Sequence, residues 1–236
     1  HRHLRLDPNG EAELEAAVDL LTTNETYFWR EPQQLRAFER ELVPMLAASL
    51  EAQRSLRVLS AGCASGEEAY TIAAILRDSG RFAGWKVEVV GVDINRRVLE
   101  AARIGAYRDH AFRASDSERM RRWFRFRAGR WIVDDELRRT VRFEAANLVE
   151  PGSLDALGRF DAIFCRNVMI YFDLPARQRV LRGLHRILRG GGFLLLGHAE
   201  SLLNVTADFE LFHLEEEMVY RKPLAAAIAP EEEAFP

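Results

Sequence analysis

One acidic position and one run of small residues carry the first chemical signal in this chain. The apolar run Arg57-Val58-Leu59-Ser60 leads into Ala61-Gly62-Cys63-Ala64-Ser65-Gly66-Glu67-Glu68, and a helix is predicted from about Gly66 to Asp78. Small residues in such a turn let a ligand approach the backbone and leave free N–H groups at the start of the helix. A tight strand-to-helix turn without a ligand is the plain alternative. Asp93 closes the next apolar run, Lys86 to Asp93, where doubly wound sheets commonly set an acid to accept both hydroxyls of a ribose. The dinucleotide pattern GxGxxG is not met, because Ala64 stands at its middle glycine. Glu67 and Glu68 would repel a pyrophosphate but suit an ammonium group, although a helix dipole by itself also favours acids in a first turn. An adenosine-type ligand with a cationic end, such as S-adenosylmethionine, fits this turn better than NAD.

Three further stretches offer polar groups. In Asn24-Glu25-Thr26-Tyr27-Phe28-Trp29-Arg30 the rings can pack inward and present Asn24, Thr26 and Arg30 to a cleft. On local grounds a helix cap followed by a core plug is favoured. Tyr171 and Asn167 follow the apolar run Phe160 to Cys165, and the carboxyl ends of parallel strands are where open α/β sheets bind ligands. A lone tyrosine is more often a core ring with its hydroxyl at the surface. Asn147 has the matching place after the run Thr140 to Ala146, where an Asn is more often a turn former.

Such groups need a scaffold, and the chain has the pattern of one. Short apolar runs alternate with helical periodicity at 57–60, 66–78, 86–93, 95–104, 159–167, 175–189 and 193–198, the rhythm of βαβ units and a parallel sheet. Gly190-Gly191-Gly192 reads as the stop of the 175–189 helix. Residues 208–221 read as two short strands forming an antiparallel edge. A helix is expected over 11–21, and another from Pro32 to about Gln53, bent at Pro44. Residues 105–145 break the rhythm and are rich in arginine, with Arg119, Arg121, Arg122, Arg125, Arg127, Arg130, Arg138, Arg139 and Arg142 against Asp134, Asp135 and Glu136.

The 236 residues are 48% hydrophobic and 29% charged, ordinary for one globular domain, which excludes disorder, collagen and coiled coil. No apolar run reaches the length of a membrane span, and the start HRHLRLDPNGEAELE lacks the apolar core of a signal peptide. Cys63 and Cys165 stand far apart with no clustered histidine, which argues against a disulfide framework and a zinc site. A net charge of -3 argues against a nucleic-acid partner.

TTNETYFWRE, SAGCASGEEAYTIA, GVD at 91–93, AANL at 145–148, FDAIFCRNVMIYF and GGGFLLLGHAESL stand in the order and spacing of the chemotaxis receptor methyltransferases. On these motifs the chain resembles that CheR-type family over about residues 20–222. The resemblance implies an α/β, Rossmann-like class I methyltransferase fold: a mostly parallel doubly wound sheet with an antiparallel C-terminal edge and a small inserted β-subdomain. It implies a cytoplasmic enzyme that moves a methyl group from S-adenosylmethionine to glutamate side chains on the cytoplasmic helices of chemoreceptors. The products would be glutamyl methyl esters and S-adenosylhomocysteine, with no metal, no nucleic acid and no membrane insertion. Carried over residue by residue, the cofactor contacts fall on Asn24, Thr26, Arg30, Glu68, Asp93 for the ribose, Asn147 and Leu148 near the adenine, and Asn167 and Val168. Arg30 and Tyr171 fall beside the reactive methyl.

Members of that family usually begin with an N-terminal helical domain, so 1–21 reads as a remnant of it. Residues 22–222 read as the methyltransferase domain with an insert at about 105–140, and 223–236 as a linker or tail. In members that dock on a receptor's C-terminal peptide the subdomain loop is longer and glycine-rich, whereas FRFRAGRWIVDD is short, so no such docking is expected. The arginines of the insert could steer an acidic helical target, or form a merely solvated basic face. The competing readings are a methyltransferase of the same fold acting on a non-chemotaxis signalling protein, a cofactor-binding module without turnover, and a nucleic-acid methyltransferase. The last is disfavoured by the acidic balance and by the lack of an Asn-Pro-Pro-Tyr-like motif after the fourth strand.

Overall fold

Strands buried on both faces read as unbroken apolar runs, and β1 (Ser55–Ala61), β2 (Lys86–Asp93) and β7 (Phe160–Cys165) are of this kind, each buried through its carboxyl end. The computed structural model describes Glu13 and residues 23–224. Apart from Glu13 and residues 223 and 224, the helix expected over 11–21 and the tail lie outside the described residues. With β6 (Val141–Ala145), β8 (Leu188–Leu196), β9 (Glu210–His213) and β10 (Met218–Arg221), these strands form a seven-stranded sheet in the order β6-β2-β1-β7-β8-β10-β9. The first five strands in that order pair in parallel, and β10 pairs antiparallel with both β8 and β9. The direction of winding reverses between β1 and β7, and a ligand crevice belongs at that point.

The helices cover both faces. On one side α1 (Pro32–Ala37), α2 (Val43–Ser49), α3 (Glu67–Asp78) and α4 (Arg96–Ile104) set Leu35, Leu46, Ile72 and Leu99, with Phe38 and Leu42 from the turn between α1 and α2, against Val58, Val89 and Phe164. On the other, α6 (Leu174–Ile187) sets Val180, Leu181 and Leu184 against Leu59, Ile163 and Leu194; the short helix α5 (Asp135–Arg138) precedes β6. The bend expected at Pro44 takes the form of a π-turn, Phe38–Leu42, in which the Val43 N–H reaches the Phe38 carbonyl. Pro44 has no N–H to give to the preceding turn, and the wider turn absorbs the missing bond.

One boundary differs from the sequence reading. The helix expected to run to 189 ends at Ile187, and the three glycines lie inside β8. There the register against β7 slips between Phe160 and Ala162. Gly191 N–H donates to Lys222 O at 2.8 Å and Lys222 N–H to Gly192 O at 2.9 Å, so the glycines serve a bulge that also holds the β10 end. A Cβ on Gly192 would lie 2.8 Å from the Asp161 carbonyl oxygen.

The insert forms a separate antiparallel sheet, β3-β5-β4, from β3 (Ala106–Tyr107), β4 (Phe124–Arg127) and β5 (Arg130–Val133). Much of its basic charge is compensated locally. Arg119 pairs with Glu39, Arg122 with Asp78, Arg125 with Asp134, and Arg142 with Glu88 and Glu144. Phe28 fastens this sheet to the site. Its buried ring lies 4.9, 4.6 and 5.1 Å from those of Tyr107, Phe112 and Phe124, and its N–H donates to Ala111 O. Phe28→Ala leaves a cavity between insert and main sheet and should cost about 3–5 kcal/mol, read as a lowered denaturant midpoint; a midpoint equal to that of the native chain would show that the ring does not join the two sheets.

Candidate active site

β1 delivers its chain into the crevice through backbone geometry that few residues tolerate. Gly62 and Gly66 have φ of +76° and +92°, and Ala64 also lies in the left-handed region. A Cβ on Gly62 would stand 2.4 Å from Val168 Cγ2, so the loops after β1 and β7 meet only because residue 62 is glycine. Asp93 holds the turn from the neighbouring strand: its Oδ2 accepts the Ala64 N–H and its Oδ1 the Asn95 N–H, each at 2.9 Å. Burial raises the Asp93 pKa against the opposing pull of these backbone donors. Ile94 N–H is a third backbone donor to this carboxylate, which as a four-site acceptor keeps capacity for a further donor.

Glu67 and Glu68 part company. Glu68 lines the crevice, its Oε1 accepting from Ser60 Oγ at 2.7 Å and its Oε2 from Arg166 at 3.1 Å. Burial raises its pKa, and Arg166 opposes the rise. Glu67, predicted as an equal partner for a ligand ammonium, turns away instead. It is buried, accepts from Ser65 Oγ at 2.7 Å, and burial pushes its pKa up to about 7. Consecutive helical residues point about 100° apart, so one of the pair must leave the crevice.

Arg166 is the hub that sequence reading passed over. Its side chain is 2% exposed, and its guanidinium bridges Glu31 Oε2 and Glu68 Oε2, both at 3.1 Å, while Nη2 donates to Arg30 O at 2.6 Å. The other Glu31 oxygen, Oε1, accepts from Asn167 Nδ2 at 2.9 Å. Burial works to raise the Glu31 pKa, but Arg166 and Asn167 outweigh it and hold the carboxyl below its ordinary value. The helix cap favoured on local grounds does not form. Glu31 occupies the cap position of α1 with φ of +53° and no capping bond, its carboxylate being spent on Arg166 and Asn167. Phe28 and Trp29 are buried, and left-handed backbone at Trp29 and Glu31 brackets Arg30. Strain of this kind persists where surrounding contacts impose it, commonly at functional sites.

The structure brings all ten sequence-predicted site residues to one crevice of about 370 Å³: Asn24, Thr26, Arg30, Glu68, Asp93, Asn147, Leu148, Asn167, Val168 and Tyr171. Asn147 also caps its own turn, with Oδ1 accepting the Val149 N–H at 3.1 Å. Tyr171, on the one-turn 3-10 helix Met169–Tyr171, is 59% exposed at the mouth rather than a core ring. Cys63 adds a thiol to the wall, and burial, with Asp93 and Glu68 adding to it, keeps that thiol protonated and poorly nucleophilic.

The donor set suits S-adenosylmethionine. Asp93 has acceptors for ribose hydroxyls, Ala146, Leu148 and Ile94 offer apolar wall for a flat base, and Glu68 has lone pairs for an ammonium. Arg166 Nε, buried on the crevice wall, has no hydrogen-bond partner among the described residues and would be satisfied by a ligand carboxylate. Among the described residues no cluster of three His, Cys, Asp or Glu could hold a metal, and no helix is long and apolar enough to cross a membrane.

Comparison with known proteins gives one family. The model described as "CheR methyltransferase, SAM binding domain" matches residues 24–218. "Chemotaxis protein methyltransferase 1" of Pseudomonas aeruginosa is 34% identical over 215 residues, 88% of this chain and 77% of that protein. "Chemotaxis protein methyltransferase 2" of Vibrio cholerae is 32% identical over 223 residues, 94% of this chain and 77% of that protein. "Probable biofilm formation methyltransferase WspC" of P. aeruginosa is 36% identical over 191 residues, 81% of this chain and 45% of that protein.

The buried Glu67 makes stability depend on pH. Its carboxyl stays protonated in the folded chain up to about pH 7, while an unfolded glutamate ionises near 4.3. Its contribution is therefore full below the unfolded pKa and is lost as pH rises to about 7, a loss of about 3 kcal/mol. Glu67→Gln should remove that loss, so that the variant gains on the native chain between pH 4 and 7 in denaturant titrations; parallel stability curves would show that Glu67 ionises normally.

Proposed function

Since the chain belongs to the CheR methyltransferase family, we propose that its crevice binds S-adenosylmethionine and that the chain methylates glutamate side chains on the cytoplasmic helices of chemoreceptors. The observation that carries this reading is the convergence of the ten predicted residues on one crevice at the carboxyl ends of β1, β2, β6 and β7. S-adenosylmethionine supplies an electrophilic methyl on a cationic sulfur. A glutamate carboxylate is ionised at neutral pH, so this chain needs no general base and no His or Asp triad. Its task is to hold donor and acceptor in line, about 3 to 3.5 Å apart.

In this reading Asp93 takes the ribose hydroxyls, and Asn147 and Leu148 border the adenine. Glu68, Asn24, Thr26, Asn167 and Val168 line the remainder of the cofactor site. Arg30 and Tyr171 orient the incoming carboxylate. An arginine that gripped the carboxylate tightly would stabilise the ground state, so the gain from Arg30 is geometric. Left-handed backbone on both sides of Arg30 supports this, since it fixes where the side chain starts. The short hairpin between β4 and β5, with Ala128 and Gly129 at its tip, supports docking without capture of a receptor C-terminal peptide. A second reading, a target in a non-chemotaxis signalling system, is favoured by the 36% identity to the relative named for biofilm formation.

Calorimetric titration with S-adenosylhomocysteine, together with transfer of labelled methyl to an acidic helical receptor fragment, tests the proposal. The native chain should bind at micromolar concentration and Asp93→Ala should not; equal binding by both would remove Asp93 from the ribose role. Arg30→Ala should keep the fold and lose most methyl transfer, and near-normal turnover would end its role. Labelling of biofilm-signalling receptors in preference to chemoreceptors would select the second reading.

A further inference from the structure

The turn that carries Asn167, Val168 and Tyr171 is built around a carboxylate from a different loop. Asn167 has φ of +58°, and the N–H groups of four successive residues aim at Glu200. Glu200 Oε1 accepts from Val168 at 2.9 Å, Met169 at 2.7 Å and Ile170 at 3.3 Å. Its Oε2 accepts from Asn167 and from Gly197, each at 2.8 Å. Successive N–H groups of this kind form a concavity that attracts an anion. Here the chain fills it with its own side chain. Gly197 leaves room for this, since a Cβ there would lie 2.8 Å from Asn167 N and 2.9 Å from Glu200 Oε2.

Two consequences follow. The N–H groups of residues 167–170 are spent on Glu200, so the turn does not offer them to a ligand. The backbone that leads to Tyr171 is held at four consecutive points by charge-assisted bonds, each stronger than a neutral one, while the Tyr171 N–H donates to Val168 O at 3.3 Å. The exposed ring of Tyr171 has little packing of its own to fix it, so the turn beneath it decides where its hydroxyl points.

Resting on the methyl-transfer reading above, we propose that Glu200 is a positioning residue for that reaction: it clamps the 167–170 turn and acts on the transfer step through Tyr171. Nothing in the geometry asks Glu200 to touch the cofactor or the acceptor. Loss of the clamp therefore affects turnover more than cofactor affinity, since a displacement of about 1 Å in a positioning group can cost about 100-fold in rate.

The test compares the native chain with Glu200→Gln, Glu200→Asp, Tyr171→Phe and the Glu200→Gln/Tyr171→Phe double variant. Hydrogen exchange at the Val168, Met169 and Ile170 amides reads the clamp, with amides of β1 and β7 as the control for folding. Glu200→Gln should speed exchange at the three turn amides alone and lower kcat by about 10- to 100-fold, with little change in the affinity for S-adenosylhomocysteine. Glu200→Asp, which keeps the charge on a shorter stem, should recover part of the rate. In the Tyr171→Phe background Glu200→Gln should cost little more. Unchanged exchange at the turn, native kcat in Glu200→Gln, or the same fold-loss in both backgrounds would each overturn the proposal. A native chain that binds no S-adenosylhomocysteine and transfers no methyl would overturn the methyl-transfer reading and this role with it, a result distinct from the loss of Glu200's role in an active enzyme.

Discussion

A single buried cation ties the site together. Arg166 leaves the end of β7 and reaches Glu31 before α1, Glu68 in the first turn of α3 and the carbonyl of Arg30, three positions on two separate segments. Taking a guanidinium out of water is costly, and the cost is recovered only if its partners are close and hydrogen-bonded. With both carboxylates in place the residue fixes the aromatic segment, the glycine turn and the β7 loop relative to one another. Removing the cation from such a pair leaves uncompensated buried charge, typically about 3–5 kcal/mol. The crevice is thus a consequence of one electrostatic arrangement as much as of the sheet beneath it.

The sheet supplies the position and the loops supply the strain. The reversal of winding between β1 and β7 opens the crevice, and Gly62 lets the two loops meet across it. Left-handed backbone at Trp29, Glu31, Ala64 and Asn167 then aims side chains that ordinary turns would send elsewhere. Each such residue costs of the order of 1–3 kcal/mol and is held by the buried rings of Phe28 and Trp29, the Asp93 carboxylate, and the carboxylates of Glu31 and Glu200. The small sheet of the insert belongs to this support, since Phe28 joins it to the segment that carries Arg30.

Much of the fold was legible because its signals are local. Apolar runs of strand length, helical spacing and the small residues after β1 gave the parallel sheet and the place of the crevice within a few residues. The exceptions have physical causes. Gly190 to Gly192 read as a helix stop, since glycine ends helices, but glycine also permits the bulge that β8 needs beside Asp161. Asn24 to Arg30 read as a cap when judged alone, because the guanidinium that claims the adjacent Glu31 carboxylate lies 135 residues away and leaves no trace in a short window.

Element order, family resemblance and the set of residues around the crevice are written in contiguous motifs, and the linear chain is enough to find them. Folding adds what no motif shows: Glu68 rather than Glu67 faces the crevice, Arg166 and Glu31 form the hub, and Glu200 holds the turn under Tyr171. Glu31, Arg166 and Glu200 lie inside the motifs WRE, CRN and HAE, yet their roles depend on partners 30 to 136 residues distant. Charge and hydrogen bonding act through space, and a linear pattern records the residue type but not the neighbour that gives it work to do.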